Sequence, residues 1–348
     1  MFVNKDHLKL LLCKFLVLAR VDTISRHSNK NKLLVVVYHG VTRTNYKHRI
    51  WTQLPENIFE EQLEYLKKDY HVLSISQVIS YLESNEPFPD YSALITFDDG
   101  LQNNFSVVFP LLKQYSLPAV FFLVSDYVNT NKFFWFDELF FLLQELAENG
   151  LSLQTKELEV VGNNGFENFG DLYYDVVNKM KRLPQQQRNG TMQTLRQTVN
   201  VDMNKVLEDF GMLSWKQVVE MKRSGLIEFG VHTANHRIVS NLNKGWWVSE
   251  LKHSKEKLSS ILGKNIRSFC FPNGKPLIDF NENHLDYLKK CGYCCAFSTE
   301  PSLYDQHKGN PMQIGRIATG NDLTSAAHYF RLNTSGFFQY IKGLLYGK

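Results

Sequence analysis

Short apolar, β-branched runs recur along this chain at residues 33–38, 93–97, 119–124, 227–231, 268–271, 295–298 and 314–317. Runs of this length bounded by polar sequence read as strands buried on both faces. Between most of them, residues 59–66, 78–82, 107–112, 250–262 and 285–289 carry apolar positions at helical spacing. Strands alternating with helices imply a parallel sheet, and this many units predicts an α/β fold closed into an irregular (β/α) barrel. In such a barrel, chemistry gathers at the C-terminal ends of the strands. From 131 to 211 the alternation lapses into aromatic, Gln- and Asn-rich sequence, largely helical in pattern, with a Gly-Asn loop at 162–165. The organisation expected is an amphipathic helix and linker at 1–30, a barrel at 31–330 with an insertion at 131–211, and an amphipathic tail at 331–348.

Composition narrows this only in part. A chain of 348 residues with 43% hydrophobic and 13% aromatic content has ample core, and 21% charged residues exclude extensive disorder. A formal charge of +4 spread along the sequence gives no warrant for nucleic-acid binding. The five cysteines, Cys13, Cys270, Cys291, Cys294 and Cys295, are odd in number and sit mostly in apolar sequence, which favours buried thiols in a reducing compartment. Cys291, Cys294 and Cys295 lack the second pair that a metal knuckle needs.

The first twenty residues read as a helix in which Lys9, Lys14 and Arg20 interrupt the apolar positions. The run is shorter than the roughly 20 apolar residues of a membrane span, and no cleavage site follows it, so the expected location is cytoplasmic. Packing against the body is the expected role of both terminal helices, with peripheral contact at the inner membrane face as the alternative.

Two polar clusters fall where the barrel rule puts chemistry. Residues 93–97 deliver Asp98 and Asp99, followed by Gly100, and residues 227–231 deliver His232 and, four positions later, His236. Burying adjacent carboxylates without a counter-charge costs several kcal/mol, so a metal or a hydrogen-bonded network is implied. A carboxylate and two imidazoles make three protein ligands for a divalent metal with one position open. As turn or capping residues they would carry no chemistry, but both clusters falling at strand ends favours the metal. His39 likewise follows an apolar run.

Thr96-Phe97-Asp98-Asp99-Gly100 followed by His232-Thr233-Ala234-Asn235-His236 resembles the paired motifs of the polysaccharide deacetylase family, the NodB-homology carbohydrate esterases. Residues 59–66, Ala119-Val120-Phe121-Phe122-Leu123, Leu213-Ser214-Trp215 and Phe269-Cys270-Phe271-Pro272-Asn273-Gly274 are similar to further landmarks in the family's order, so the likeness spans residues 33–323. The resemblance implies Asp99, His232 and His236 as metal ligands and Asp98 as catalytic base. The implied cofactor is a divalent cation, zinc by default, with Co, Ni or Fe equally compatible with the donors. The implied activity is hydrolytic removal of N-acetyl groups from amino sugars of a polysaccharide, glycolipid or precursor. An O-acetyl esterase, or a catalytically impaired glycan-binding module, are the alternatives.

The chain departs from the common pattern at two places. Cys270 and Phe271 stand where many members keep the arginine that orients the base, and no late Leu-x-x-x-His motif supplies the acid. Val37-Tyr38-His39-Gly40 is similar to the first strand of permuted members that act on poly-N-acetylglucosamine, which implies His39 as general acid. Arg316, expected near the end of a late strand, is a candidate for substrate binding or for orienting Asp98. Asn273 is expected to touch substrate, and Trp135 either to stack on a sugar or to pack the insertion down.

Overall fold

The computed structural model describes residues 5–154, 159–160 and 169–346. Eight strands build the main sheet: β1 (Leu34–Tyr38), β2 (His71–Val72), β3 (Ser92–Phe97), β4 (Ala119–Leu123), β5 (Ile227–Val231), β6 (Ser268–Cys270), β7 (Cys295–Phe297) and β8 (Ile317–Ala318). All five residues of β1 and all six of β3 are buried, as suits strands in the middle of a parallel sheet covered on both faces. The order is β7-β6-β5-β4-β3-β1-β8, every pair parallel, with β2 paired to the start of β3. A parallel bridge between Phe297 and Ile314 ties β7 to the segment leading into β8, so the sheet curls into an irregular barrel.

Alternate residues of the strands divide between two apolar clusters, as the period of two requires. Val36, Tyr38, Ile95, Phe97 and Phe121 pack with Phe59, Leu63 and Leu66 of the Glu56–Asp69 helix. Val35, Leu94, Val120 and Phe122 pack with Phe297 and Ile314 near the closing seam. Capping boxes at Ser74 and Ser214 start the helices Ile75–Ser84 and Trp215–Arg223.

Between β4 and β5, the helices Trp135–Glu148, Phe169–Arg182 and Gln185–Thr198 share an apolar cluster of their own, including Leu139, Leu143, Met180 and Leu195. The loop expected at 162–165 lies outside the described residues. The N-terminal helix runs Lys5–Leu18 and the C-terminal one Phe337–Tyr346. All five cysteines are free thiols, with Cys13, Cys270 and Cys295 buried.

The run at 314–317 differs from expectation. Only Ile317 belongs to a strand, because the chain crosses here from the edge of β7 to that of β1: Ile314 bonds the β7 side while Ile317 pairs Val36. Gly315 permits the crossing, since a Cβ there would lie 2.5 Å from the Glu300 carbonyl oxygen. Arg316 therefore precedes β8 instead of ending a strand.

Candidate active site

At the end of β3, Asp99 and Gly100 both adopt left-handed backbone, with φ of 76° and 79°. A Cβ on Gly100 would sit 2.7 Å from the Leu123 side chain, so only glycine fits this turn without displacement. The reversal sends the two adjacent carboxylates to different partners.

Asp98 meets Arg316. Two guanidinium nitrogens donate to its two oxygens, each at 2.8 Å, while the third, Nε, donates to the Ser298 carbonyl at 3.1 Å. Rooted before β8, the Arg316 side chain passes Thr96 to reach Asp98 and is fully buried, so in this structure it contacts Asp98 and offers no surface to a sugar. Burial alone would raise the Asp98 pKa, but Arg316, then His232, outweigh it and hold the carboxyl well below the usual range. The Cys270 thiol, kept protonated by burial, lies 3.5 Å from Asp98 Oδ2.

Asp99 meets the imidazoles. Its Oδ1 lies 3.6 Å from His232 Nε2 and 3.3 Å from His236 Nε2. His232 Nδ1 sits 2.9 Å from the Cys270 carbonyl, which fixes that nitrogen as the donor and leaves Nε2 with a free lone pair. Burial lowers the His232 pKa to about 4, so the ring is neutral at neutral pH, the form a metal requires. Asp99 Oδ1 is buried and, among the described residues, has no partner other than these two imidazoles. A buried anionic oxygen whose only neighbours of this kind among the described residues are two imidazole nitrogens fits a divalent cation.

Among the described residues a second trio, Asp98, His232 and Cys270, also has ligand atoms within 4.8 Å of one another. Both Asp98 oxygens are already taken by Arg316 and the thiol is neutral, so Asp99, His232 and His236 are the better ligand set.

His39 follows β1, its carbonyl accepting from Asn104 Nδ2 at 2.7 Å. Its ring packs against Trp51 at 5.3 Å, and its buried Nδ1 has no partner among the described residues. Asn273 occupies a left-handed position, φ 59°, in the turn after β6, its carbonyl bonded by Thr299 and its side-chain amide unpaired among the described residues. Trp135 is half-buried, with Arg188 5.0 Å over its ring and Phe136 meeting it edge-on.

Several contributors escaped the sequence reading. Phe134 and Phe136 pack on the His236 ring at 5.0 and 5.6 Å, bringing the insertion against the ligand set. Asp137, on the same helix, is buried without a hydrogen bond among the described residues, and burial together with Asp99 pushes its pKa well up. Glu250 is fully buried and accepts from the backbone N–H groups of Ala234 and Asn235 at 3.0 and 2.9 Å, clamping the loop between the two histidines. Asn104 and Glu250 both lie in π-helical segments, Asn104–Val108 and Val248–His253. Such wide turns are frequent at functional sites, and helical periodicity does not reveal them. Glu250→Ala is expected to weaken metal affinity by about 10- to 100-fold by orphaning the loop's amides. Calorimetric metal titration checks this, and an affinity within twofold of wild type would mean the loop is held by other contacts.

Residues 85–296 match the family model described as polysaccharide deacetylase. The chain belongs to the polysaccharide deacetylase family. It is thus a hydrolase of a metal-dependent family. This deacetylase is 21% identical, over 90% of its length and 92% of the relative's, to the poly-β-1,6-N-acetyl-D-glucosamine N-deacetylase of Staphylococcus aureus. It is 24% identical to a putative polysaccharide deacetylase of Bacillus subtilis, over 38% of this chain and 45% of that relative. Its fold is shared with a Streptococcus pyogenes deacetylase, at TM-score 0.54 and 19% identity over 84% of this chain and 93% of that one. A de-N-acetylase from Aggregatibacter actinomycetemcomitans gives TM-score 0.55 and 20% identity over 87% and 99%.

Proposed function

We propose that this deacetylase removes N-acetyl groups from a polysaccharide of N-acetylated amino sugars, with N-acetylglucosamine chains of the β-1,6-linked type as the first substrate to test. The observation that carries the reading is the division of the Asp98-Asp99 pair: one carboxylate faces two imidazoles, and its neighbour is held ionised by a buried arginine. The full-length similarity to the Staphylococcus aureus N-deacetylase supports the amide over the ester.

Asp99, His232 and His236 would hold the metal, for which we propose zinc. When bound, the cation supplies Lewis acidity to the acetamide carbonyl and brings the pKa of water toward ~7. Asp98 accepts the proton that the attacking water gives up. Arg316 keeps it ionised and fixes its direction, at some cost in basicity. His39, steadied by the edge of Trp51 and by Asn104, donates a proton to the departing nitrogen as the carbon–nitrogen bond breaks. The products are acetate and a free amine. Asn273, whose side-chain amide is unpaired among the described residues, is proposed to hydrogen-bond the sugar.

Purified protein loaded with zinc or cobalt is expected to release acetate from β-1,6-linked N-acetylglucosamine oligomers. Release from O-acetylated sugars alone would make the enzyme an esterase, and release from neither would leave a glycan-binding module. His39→Ala is expected to slow the reaction by about 10²-fold or more. A rate within threefold of wild type at every pH would exclude proton donation by His39.

A further inference from the structure

The N-terminal helix has two apolar faces, and the fold uses one of them. Cys13 is buried, and Leu10, Leu16 and Val17 are half-buried, where Lys5–Leu18 packs on the helices Val21–Ser28 and Ala327–Thr334. On the opposite side Leu8, Leu11, Leu12, Phe15 and Leu18 are between 51 and 72% exposed. At about 100° per residue these five fall in one arc of roughly 120°, a continuous stripe along the outward face.

Neighbouring helices extend the pattern. Ile24 of Val21–Ser28 is exposed, as are Tyr340, Leu344 and Leu345 of Phe337–Tyr346, a helix that packs on both Val21–Ser28 and Ala327–Thr334. Nine of the sixteen large apolar side chains exposed among the described residues thus belong to these two terminal segments. Singly scattered apolar residues need no explanation, but a concentration of this kind marks an interaction surface.

The charges select the partner. Lys9 and Lys14 border the stripe on either side, and Lys5 and Arg20 lie near its two ends, all exposed. Asp6, which lies 4.0 Å from Lys9, is the one acidic residue of the helix. A second copy docked face to face would bring these cations together, whereas lysines flanking an apolar stripe can reach anionic headgroups while the stripe enters the acyl boundary. None of the described helices is long and apolar enough to cross a membrane, so the contact is one of lying on the surface.

We propose that the outward apolar stripe of the Lys5–Leu18 helix docks this enzyme on an anionic phospholipid bilayer. The site at the strand ends is not involved, so the proposal stands apart from the identity of the sugar.

The test is sedimentation of the full chain with vesicles of phosphatidylglycerol and phosphatidylethanolamine, and with phosphatidylcholine alone, at low and high salt. Wild type is expected to pellet with the anionic vesicles at low salt. Leu12→Glu with Phe15→Glu is expected to lower partitioning by about tenfold or more. Lys9→Gln with Lys14→Gln is expected to lower it to a similar extent at low salt only. Because these side chains point outward, melting temperature and hydrolysis of a soluble oligomer are expected to stay unchanged in both variants. Failure of wild type to pellet, or equal pelleting of wild type and the Glu variant, overturns the proposal. Equal binding to phosphatidylcholine at high salt overturns its anionic part. A wild-type dimer in light scattering that the Glu variant dissociates, without vesicle binding, assigns the stripe to a second copy instead.

Discussion

An Asp98→Asn variant is expected to lose about 10²- to 10⁴-fold in deacetylation rate while still binding metal, because the amide cannot take up the proton that water must surrender. The same change leaves the buried guanidinium of Arg316 without its counter-charge. Removing one partner of a buried ion pair typically costs about 3–5 kcal/mol, so the variant should also unfold at lower urea concentration. The two effects separate experimentally. Metal content and circular dichroism at neutral pH report whether the fold survives, and single-turnover acetate release reports the chemistry. Full activity in a folded, metal-loaded Asn variant would remove Asp98 from the mechanism.

Arg316→Met acts on the same pair from the other side, and its signature lies in the pH dependence. In wild type the Asp98 pKa is depressed, so its contribution to stability is present above the ordinary carboxylate range and is lost as pH falls below it. Without Arg316 the burial that opposes ionisation is left to dominate, and the folded pKa moves above the unfolded one. The sign then reverses: relative to wild type, the Met variant should gain stability as pH is lowered from neutrality toward about 4. The acid limb of its kcat/KM profile should move upward, since the base now protonates within the assay range. Urea midpoints for both proteins across this range check the reversal. Parallel curves would mean that Asp98 does not depend on Arg316 for its charge. A smaller volume-matched penalty is expected from packing, because Met fills much of the same channel.

The chemistry of the site was legible where it is local in sequence. Asp98-Asp99-Gly100 and His232 through His236 each carry their donors within one turn at a strand end, and alternation of apolar runs with helical segments was enough to place those ends together. Arg316 could be singled out as a candidate but not assigned, because its contact with Asp98 depends on β8 lying beside β1, a pairing no local pattern encodes. The run at 314–317 also read as one strand when it is a crossing between two edges. Glu250 and Asn104 were invisible because a π-helical turn shifts which side chain faces inward without altering the apolar spacing. Asp137 sits two residues from the Trp135 that drew attention, and only its burial sets it apart. Nothing in the local sequence sets Trp51, Phe134 and Phe136 apart from other aromatic residues, and only the fold brings them to His39 and His236.

The pairing of Asp98 with a residue 218 positions later has a consequence for biosynthesis. By the time His236 has left the ribosome, all three proposed metal ligands exist, yet the cation that balances the neighbouring carboxylate has not been made. Until Arg316 is made, burying Asp98 would leave an uncompensated charge, so β3 cannot settle in its final place before β8 arrives. The ligand residues and the partner of the neighbouring carboxylate are thus made at separate points of synthesis, and the site is complete only once β8 has joined β1.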